Sequence, residues 1–389
     1  MTRQPDTGLG RALGLYLHWP YCARICPYCD FNVYRPKGDD DALLDAILMD
    51  MADWRVRTGD RQLASLHLGG GTPSLMTPAA VARVLEAADR LWGFAPDIEI
   101  GLEANPNDQA RFAGLAEAGI KRLSLGVQSF DDAVLRKLGR DHDGSEARLA
   151  IDAALAAFDR VSVDMIYAWA GQDLAAWSVD LGEALATGAG HVSAYQLTIE
   201  AGTAFGKRSE RGETLAVDGD SAADLYEATQ SQCEAAGFAA YEISNHARTP
   251  QDRSTHNRVY WEGGDWIGVG PGAHGRLGQS VNGGRHATTA CRRPVDYIRA
   301  IQETGSGIAR DGMERLTPQD DLVERAFLGL RIIDGLDLAH LSASTGCELD
   351  AHGIAQMIDT GMLEQDGSRL RLSASGRLLA DRVTREILP

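Results

Sequence analysis

The sequence lacks any apolar run long enough to cross a membrane, and it contains little cysteine. Residues 1–14 have no apolar core of the kind found in signal peptides. The 389 residues include six cysteines, three of them clustered and three widely scattered. Disulfide-stabilised secreted proteins do not have this distribution. These absences predict a cytoplasmic protein that works in a reducing compartment.

Positive charge is also scarce, with 38 Lys and Arg against 55 Asp and Glu and a net charge of −17. A nucleic-acid partner needs a basic face to neutralise phosphates, so this balance predicts that no nucleic acid is bound. Residues 248–299 are the exception, with eight arginines, no lysine, four acids and three of the ten histidines, and a fourth histidine, His246, lies just before them. This basic segment in an acidic chain predicts an anionic ligand.

Three cysteines lie in residues 16–31, with the spacing Cys22-x3-Cys26-x2-Cys29. The apolar run before them, residues 13–19, predicts a buried strand that ends at Pro20, so the thiols lie on a loop past a strand end. Thiolates favour iron–sulfur clusters or zinc. A zinc site usually has a second cysteine pair, and none follows here.

Ordinary ferredoxin clusters use four cysteines, whereas three would leave one corner of a cluster open to another ligand. The alternative is three loop cysteines that bind no cluster. The scattered Cys233, Cys291 and Cys347 are interpreted as packing residues.

Short apolar runs alternate with helical patterns through the first half of the chain. The predicted strands lie at residues 13–19, 63–68, 97–103, 122–127, 161–166 and 191–197. Such repeats predict a parallel sheet with right-handed crossovers, either doubly wound or a partial barrel. Unusual polar residues recur at the strand ends, which favours the barrel because barrel enzymes build their sites there. They are the cysteine loop, the glycine-rich turn 69–72, Glu103, Asn105, Gln128 and Asp164.

Two further parts follow the barrel. Residues 267–275 contain four glycines, which predicts a packed loop that brings His274 towards the barrel mouth. From about Thr317, helices followed by a hairpin at 362–372 resemble a winged-helix module, for which a lid or docking role is favoured over DNA binding. The predicted domains are the barrel core at 1–240, the Gly- and His-rich segment at 241–310 that packs on it, and the winged-helix-like part at 311–389.

Motifs between residue 13 and about 275 resemble the radical S-adenosylmethionine (SAM) superfamily. Within it they resemble the oxygen-independent coproporphyrinogen III oxidase family, and in particular its HemW-type haem chaperones. The motifs are Tyr16-x-His18-x-Pro20-Tyr-Cys22-x3-Cys26-Pro-Tyr-Cys29-Asp-Phe31-Asn, Gly69-Gly-Gly-Thr-Pro-Ser74, Glu103-Ala-Asn-Pro106, Gly126-Val-Gln-Ser-Phe130, Leu138-Gly-Arg140, Tyr195-Gln-Leu-Thr-Ile-Glu200 and His256-Asn-x-x-Tyr-Trp261. The resemblance implies an α/β fold, a partial (β/α)6 TIM-type barrel with an appended C-terminal helical, winged-helix-like domain.

The resemblance also implies cofactors and the residues that bind them. Cys22, Cys26 and Cys29 would hold a [4Fe-4S] cluster. The SAM site would be lined by Tyr16, Tyr28, Gly70, Gly71, Thr72, Glu103, Gln128, Arg140 and Asp164. Haem would lie in the segment 241–310, with His256 as its iron ligand and Asn257, Tyr260 and Trp261 beside it, whereas His274 would lie nearer to SAM. The implied partners are a haem or porphyrin ligand and haem-accepting respiratory proteins, with a membrane-associated acceptor and a homodimer left open.

The sequence departs from the family pattern at three places, and two of these bear on the choice between the family's branches. The oxidases carry a fourth cysteine where this chain has Phe31, and they have a longer arm before the motif. The loop 167–172 reads Tyr-Ala-Trp-Ala-Gly-Gln, where relatives usually read Gly-Leu-Pro-Gly-Gln. The first two favour a haem chaperone over a coproporphyrinogen III oxidase. A tetrapyrrole carrier with a vestigial cluster and a tRNA-modifying enzyme are the remaining alternatives, and no catalytic residue is predicted.

Overall fold

The computed structural model describes residues 13–278 and 284–389, and one large sheet is its main feature. The predicted absence of a signal peptide concerns residues 1–14, of which 1–12 lie outside the described residues. The strands of the sheet are β1 Leu13–Trp19, β2 Leu63–Gly70, β3 Phe94–Ala104, β4 Arg122–Gln128, β5 Arg160–Tyr167, β6 His191–Gln196, β7 Ala239–Ala240, β8 Asn245–Ala247, β9 Asp265–Val269, β10 His274–Leu277, β11 His286–Ala290 and β12 Ile308–Arg315. The six predicted strands correspond to β1 to β6 and are confirmed.

Seven strands run parallel, in the order β9, β1, β2, β3, β4, β5 and β6. Antiparallel strands continue the sheet at both ends, with β10 to β12 beyond β9 and β8 and β7 beyond β6. Within the described residues the sheet stays open, since β12 and β7 are its two edges. The predicted α/β fold with a partial barrel is confirmed, and β9 adds a seventh parallel strand.

Helices lie between the strands along the chain, and most of them connect the parallel strands. They are α1 Asp40–Thr58, α2 Pro78–Trp92, α3 Phe112–Glu117, α4 Asp132–Lys137, α5 Gly144–Ala157, α6 Leu174–Ala186, α7 Ala204–Ser209, α8 Gly219–Ala235, α9 Thr255–Trp261 and α10 Pro294–Thr304. Local sequence sets their ends, as α2 illustrates. The Thr77 side chain accepts the N–H of Ala80, Pro78 occupies the first turn, and Gly93 ends the helix at φ +69°. None of the helices in the described part of the chain is long and apolar enough to span a membrane.

Successive residues of a strand point to opposite faces of the sheet, and β4 shows what each face contacts. Leu123, Leu125 and Val127 are fully buried in the main hydrophobic core. The alternate residues Arg122, Ser124, Gly126 and Gln128 line an internal cavity. A closed (β/α)8 barrel fills its interior with branched apolar side chains. Here polar side chains face the interior, and space remains for a ligand.

The prediction of a loop over residues 267–275 is wrong for most of that segment. Residues 267–269 belong to β9, which pairs with β1, and His274 begins β10. A Cβ atom on Gly268 would lie 2.3 Å from the backbone oxygen of His274. Glycine therefore occurs in this strand because a neighbouring backbone approaches closely. The glycines allow the strands to approach one another, and the turn is confined to residues 270–273.

The C-terminal part has its own hydrophobic core, which includes Leu322, Leu341, Leu370 and Ile387. Its elements are α11 Pro318–Gly329, β13 Leu336–Asp337, α12 Leu338–Thr345, α13 Ala351–Asp359, β14 Leu363–Asp366, β15 Arg369–Leu372, α14 Ala374–Leu378 and α15 Ala380–Glu386. The predicted hairpin is present as β14 and β15, with Gly367 at φ +58° in its turn. The chain ends in two short helices, α14 and α15.

A buried ion-pair network joins this part to the sheet. Arg285, whose side chain is 1% exposed, lies 2.9 Å from Asp321 and 3.2 Å from Glu324. Arg276 of β10 contacts the same Glu324 at 2.8 Å. Removing one partner would leave a buried charge uncompensated, so these contacts hold α11 against the edge of the sheet.

Candidate functional site

The loop that carries the three cysteines is anchored at its base. The N–H of Cys22 donates to the carbonyl of Tyr34 at 3.0 Å. The side-chain amide of Asn32 donates to the carbonyls of Pro271, at 2.9 Å, and Arg292, at 2.7 Å. These bonds hold the loop beyond the carboxyl end of β1, where it faces the interior of the barrel.

Cys22, Cys26 and Cys29 are free thiols that line one cavity. Burial raises the pKa of the Cys22 thiol. Burial also raises the pKa of the Cys29 thiol, to about 11. Both are therefore protonated near neutral pH until a metal displaces the protons. No group of three His, Cys, Asp or Glu in residues 13–278 and 284–389 is arranged to hold a single metal ion. In an iron–sulfur cluster each thiolate binds its own iron, so three soft donors around one cavity fit such a cluster.

The glycine-rich turn at the end of β2 fits closely between β1 and β3. Gly70 has φ +105°, and a side chain there would lie 2.5 Å from the ring of His18. Its N–H donates to Glu103 Oε2 at 3.1 Å, while Glu103 Oε1 lies 3.3 Å from His67 Nε2. Burial acts to raise the pKa of Glu103, but His67 and the Gly70 N–H overcome it and lower the pKa. Glu103 is thus a carboxylate that can accept from a hydroxyl or ammonium group.

Three side chains connect two of the cysteines. The Thr72 hydroxyl donates to the sulfur of Cys22 at 3.3 Å and accepts from the Asn105 amide at 3.2 Å. The Asn105 oxygen accepts from Arg140 at 2.6 Å, and Arg140 in turn donates to the sulfur of Cys26 at 3.3 Å. This chain, which we term the Thr72–Asn105–Arg140 bridge, fixes both thiols relative to the ends of β2 and β3. It also directs two donors at sulfur atoms.

Asp164 lies in a second polar network. It accepts from the hydroxyls of Ser124, at 2.7 Å, and Ser162, at 2.8 Å. The Ser162 hydroxyl also lies 2.7 Å from Nδ1 of His191. Burial raises the pKa of Asp164 although the serine hydroxyls favour its charged form. These contacts fix the carboxyl group in orientation below the cysteine loop.

Gln128 and Tyr28 complete this wall of the cavity. Gln128 has φ +68°, uncommon for a residue with a side chain, and it lies at an irregularity in the pairing of β4 with β5. Backbone strain of this kind clusters at functional sites. The centroids of the Tyr28 and Phe205 rings lie 6.3 Å apart. Burial raises the pKa of the Tyr28 hydroxyl more than the charge of Arg140 lowers it.

One cavity of about 510 Å³ brings most of the predicted site residues together. This volume lies in the range of small-molecule sites. The predicted residues that line it are Cys22, Cys26, Cys29, Tyr28, Gly70, Gly71, Thr72, Glu103, Gln128, Arg140, Asp164 and Asn257.

His256, predicted as the haem iron ligand, is not among the residues that line this cavity in the described part of the chain. Its side chain is 1% exposed, its Nδ1 lies 2.8 Å from the Ser65 hydroxyl, and its Nε2 contacts the Tyr260 hydroxyl. The ring stacks on His67 with centroids 5.0 Å apart. Burial lowers the pKa of His256 well below its ordinary value. Both ring nitrogens are engaged, so His256 secures α9 against the strands.

The other predicted residues of this region also lie away from the cavity lining. The Tyr16 hydroxyl is 3.0 Å from Nδ1 of His18, and its ring stacks on His256. Tyr260 packs on Trp266 and Trp261 on Tyr241, with centroids 4.6 and 6.1 Å apart. His274 is an exposed residue of β10, its Nδ1 3.2 Å from the Thr289 hydroxyl. His274 is not among the residues that line the cavity in the described part of the chain.

Several of the eight arginines of residues 248–299 have partners within the protein. Arg248 donates to backbone carbonyls, and Arg258 pairs with Glu262 at 2.6 Å. Arg276 and Arg285 belong to the network at α11 described above. None of the eight arginines is among the residues that line the cavity in the described part of the chain.

Arg24, Arg122 and Arg140 are the arginines that line the cavity, and Arg122 was missed from the sequence. A usable signal existed, because Arg122 alternates with three apolar residues along β4. Only one face of that strand is apolar, so the other had to face polar surroundings. The same signal would have identified Ser124.

Comparisons with known proteins agree with this geometry. Residues 16–178 match the family model of the Radical SAM superfamily, and residues 316–379 match that of the HemN C-terminal domain. The heme chaperone HemW of Mycobacterium tuberculosis is 37% identical over 97% of this chain and 95% of its own length. The mitochondrial radical S-adenosyl methionine domain-containing protein 1 of Mus musculus is 36% identical over 99% of this chain and 89% of its own.

Among solved structures, the chain is similar to coproporphyrinogen III oxidase (HemN) from Escherichia coli, described there as a radical SAM enzyme. The TM-score is 0.81 at 20% identity, covering 97% of this chain and 90% of the other. At this identity the likeness supports a shared fold, including the C-terminal part.

Proposed function

The chain belongs to the radical SAM superfamily, in its HemW-type group, and on that premise we propose that it binds a [4Fe-4S] cluster, SAM and haem and passes the haem to other proteins. Cys22, Cys26 and Cys29 would hold the cluster. Their free thiols around one cavity are the observation that carries this assignment. When bound, the cluster would supply electrons to SAM.

The chain's own residues would orient SAM at the barrel mouth. Glu103 is ionised and faces the cavity, so it can accept from the SAM amino group. Arg140 offers a guanidinium to the SAM carboxylate, and Asp164 can accept from a ribose hydroxyl. Because Gly70 and Gly71 have no side chains, SAM could approach their backbone closely, where a Cβ atom would block it.

An exposed apolar rim supports haem as the further ligand. Phe31 is 60% exposed and Ile25 is 41% exposed, and both line the mouth of the cavity beside the cysteines. A flat macrocycle buries apolar surface against such side chains. The recipients would be respiratory proteins in the cytoplasm or at a membrane, so the haem must remain accessible after binding. A rim site meets that requirement better than an enclosed one.

Phe31 also distinguishes the chaperone from the oxidase. It occupies the position where the resemblance places a fourth cysteine in the oxidases. The chain therefore lacks that thiol beside the cluster. We expect no conversion of coproporphyrinogen III to protoporphyrinogen by the reconstituted protein with SAM and a reductant.

The decisive experiment measures haem and SAM chemistry on the same preparation. Anaerobically reconstituted protein is titrated with haem, followed by the Soret band, and then mixed with an apo-haemoprotein to measure transfer. Deoxyadenosine release is measured with and without haem, and coproporphyrinogen III is supplied in a parallel reaction. Haem binding with transfer supports the proposal. Formation of protoporphyrinogen, or absence of haem binding by cluster-loaded protein, would contradict it.

A further inference from the structure

Gln128 combines a strained backbone with an unused side-chain amide at the wall of the cavity. Its φ of +68° lies in the left-handed region, which residues with a Cβ atom rarely adopt. It lines the cavity, and in the described part of the chain its side-chain amide makes no hydrogen bond. Strain of this kind persists only where the surrounding structure enforces it. The groups that hold Gln128 in place therefore bear on what its amide can bind.

The amide end of Gln128 is directed towards Arg140. A Cβ atom on Gly126 would lie 2.8 Å from Nε2 of Gln128 and 3.5 Å from a terminal nitrogen of Arg140. Arg140 also donates to the carbonyl of Gly126 at 2.9 Å. The two side chains thus converge over Gly126, where the missing Cβ atom leaves room for both. Because Arg140 is assigned to SAM, the amide of Gln128 faces the same ligand.

Asp180 of α6 anchors the backbone directly after Gln128. The Asp180 side chain accepts from the Ser129 hydroxyl at 2.6 Å and from the Phe130 N–H at 2.7 Å, with one carboxyl oxygen for each donor. The Ser129 hydroxyl accepts in turn from the N–H of Asp131 at 3.1 Å. Hydrogen bonds to two consecutive residues fix the direction in which the chain leaves β4.

A second buried side chain holds the residue before Gln128. Nε2 of His142 lies 3.0 Å from the carbonyl oxygen of Val127, and the His142 side chain is buried. Gln128 is thus held from both sides. Asp180 is 8% exposed, and it is not among the residues that line the cavity in the part of the chain that the structure describes. Any effect of Asp180 on a ligand must therefore pass through the segment that it anchors.

We propose that Asp180 is a positioning residue that holds Gln128 in the conformation in which its amide contacts SAM beside Arg140. Without the carboxyl group, Ser129 and Phe130 lose an acceptor, and the backbone of Gln128 relaxes towards negative φ. That rotation turns the amide away from Arg140. The inference rests on the proposed function, because SAM is the ligand that the site is proposed to bind.

The first experiment measures SAM affinity by equilibrium dialysis against anaerobically reconstituted, cluster-loaded protein. One hydrogen bond corresponds to about 3- to 10-fold in affinity, and we expect Asp180→Ala to weaken SAM binding by that factor. Asp180→Asn should restore most of the affinity. Its amide oxygen can accept from the Phe130 N–H, and its NH2 group can donate to the Ser129 hydroxyl.

Asp50→Ala is the matched control. Asp50 is also buried, and it also accepts from one hydroxyl and one backbone N–H, those of Tyr297 and Gly307. Its replacement removes the same kind of contacts from a part of the protein outside the cavity lining. We expect Asp50→Ala to lower the melting temperature and to leave SAM affinity unchanged. An equal loss of SAM affinity in both alanine variants would overturn the proposal, since general destabilisation would then explain it.

A double-mutant cycle tests whether Asp180 acts through Gln128. Gln128→Ala removes the amide and should weaken SAM binding by the same 3- to 10-fold. Adding Asp180→Ala to Gln128→Ala should cause no further loss, because the group that Asp180 positions is already absent. Additive losses in the double variant overturn the proposal, since Asp180 would then act on SAM by another route.

Hydrogen–deuterium exchange of the segment 127–132 supplies an arm that needs no ligand. Asp180→Ala should speed exchange there, whereas Asp50→Ala should not. If Asp180→Ala does not fold, Ser129→Ala, which removes only one of the two contacts, takes its place in the cycle and in this arm. Unchanged exchange, or unchanged SAM affinity, in the Asp180 or Ser129 variant overturns the inference alone. If native cluster-loaded protein binds no SAM, the proposed function fails, and the exchange arm still decides whether Asp180 holds the segment.

Discussion

The hydroxyl of Thr72 lies 3.3 Å from the sulfur of Cys22 and donates a hydrogen bond to it. This contact joins the glycine-rich turn after β2 to the cysteine loop after β1. Because hydrogen bonds to cluster sulfurs stabilise the more negative, reduced state, they raise the reduction potential. The Thr72–Asn105–Arg140 bridge would therefore tune a bound cluster as well as position its ligands.

Replacing the hydroxyl by a methyl group tests this tuning. Thr72→Val should retain the cluster and lower its midpoint potential by on the order of tens of millivolts, measured by redox titration with electron paramagnetic resonance in the absence of SAM. Thr360→Val removes an exposed hydroxyl at the end of α13 and should leave the potential unchanged. An unchanged potential in Thr72→Val would show that the contact does not persist in the loaded protein.

The second prediction concerns which cysteines hold the cluster. Cys26→Ser should abolish the brown cluster absorbance after anaerobic reconstitution, because it removes one of three ligands. Cys233→Ser should keep it, since Cys233 is fully buried in the core, where burial raises the pKa of its thiol to about 12. Iron and sulfide analysis of both proteins measures the difference. Loss of the cluster on replacing Cys233, Cys291 or Cys347 would overturn the ligand assignment.

We expect His256 to contribute to the stability of the fold and not to haem binding. Its removal leaves the Ser65 and Tyr260 hydroxyls without a partner and a space beside His67. His256→Ala should therefore lower the free energy of unfolding by about 2 to 4 kcal/mol, measured by urea denaturation. His274→Ala, on an exposed residue, should change it by less than about 0.5 kcal/mol. A stable His256→Ala protein that has lost its Soret band would restore the iron-ligand interpretation.

Local sequence patterns were sufficient to predict the strands of the sheet and part of the site. The period-two strands and the polar residues at their ends were predictable, because both depend on residues close in the chain. The partners of His256 could not be predicted, because Ser65 is 191 residues away and only the tertiary fold brings it to the His256 ring. Arg122 was overlooked although its alternation with apolar residues along β4 places it on the face that lines the cavity. The strand β9 was missed because its glycine, Gly268, reflects the close approach of the β10 backbone, which the local sequence does not show.

Ala168 adopts a backbone conformation that favours glycine. Its φ is +68° in the loop after β5, at the position where the resemblance places glycine in relatives. A residue with a Cβ atom is strained there. Ala168→Gly should therefore stabilise the protein by roughly 1 kcal/mol, measured by the midpoint of urea unfolding. A destabilised variant would show that the methyl group, which is 1% exposed, contributes more through packing than the strain costs.

Asp50 gives the protein a pH dependence that can be assigned to one carboxyl group. It lies on α1 and accepts from the Tyr297 hydroxyl at 2.7 Å and the Gly307 N–H at 2.9 Å. Burial raises the pKa of Asp50 from 3.8 to about 6, and these hydrogen bonds only partly oppose it. The folded protein therefore keeps a proton on Asp50 over a range in which the unfolded chain has released it.

A raised pKa of this kind favours the folded state at low pH and loses that effect as the pH rises. The free energy of unfolding should fall between about pH 4 and pH 6 by an amount on the order of 3 kcal/mol and level off above it. Asp50→Asn cannot ionise, so it should remove this part of the slope; its amide oxygen can still accept from the Gly307 N–H, and its NH2 group can donate to the Tyr297 hydroxyl. Urea unfolding at a series of pH values measures both proteins, and the other carboxyl groups contribute equally to each. An identical slope in the two proteins would show that Asp50 ionises with its ordinary pKa in the folded state.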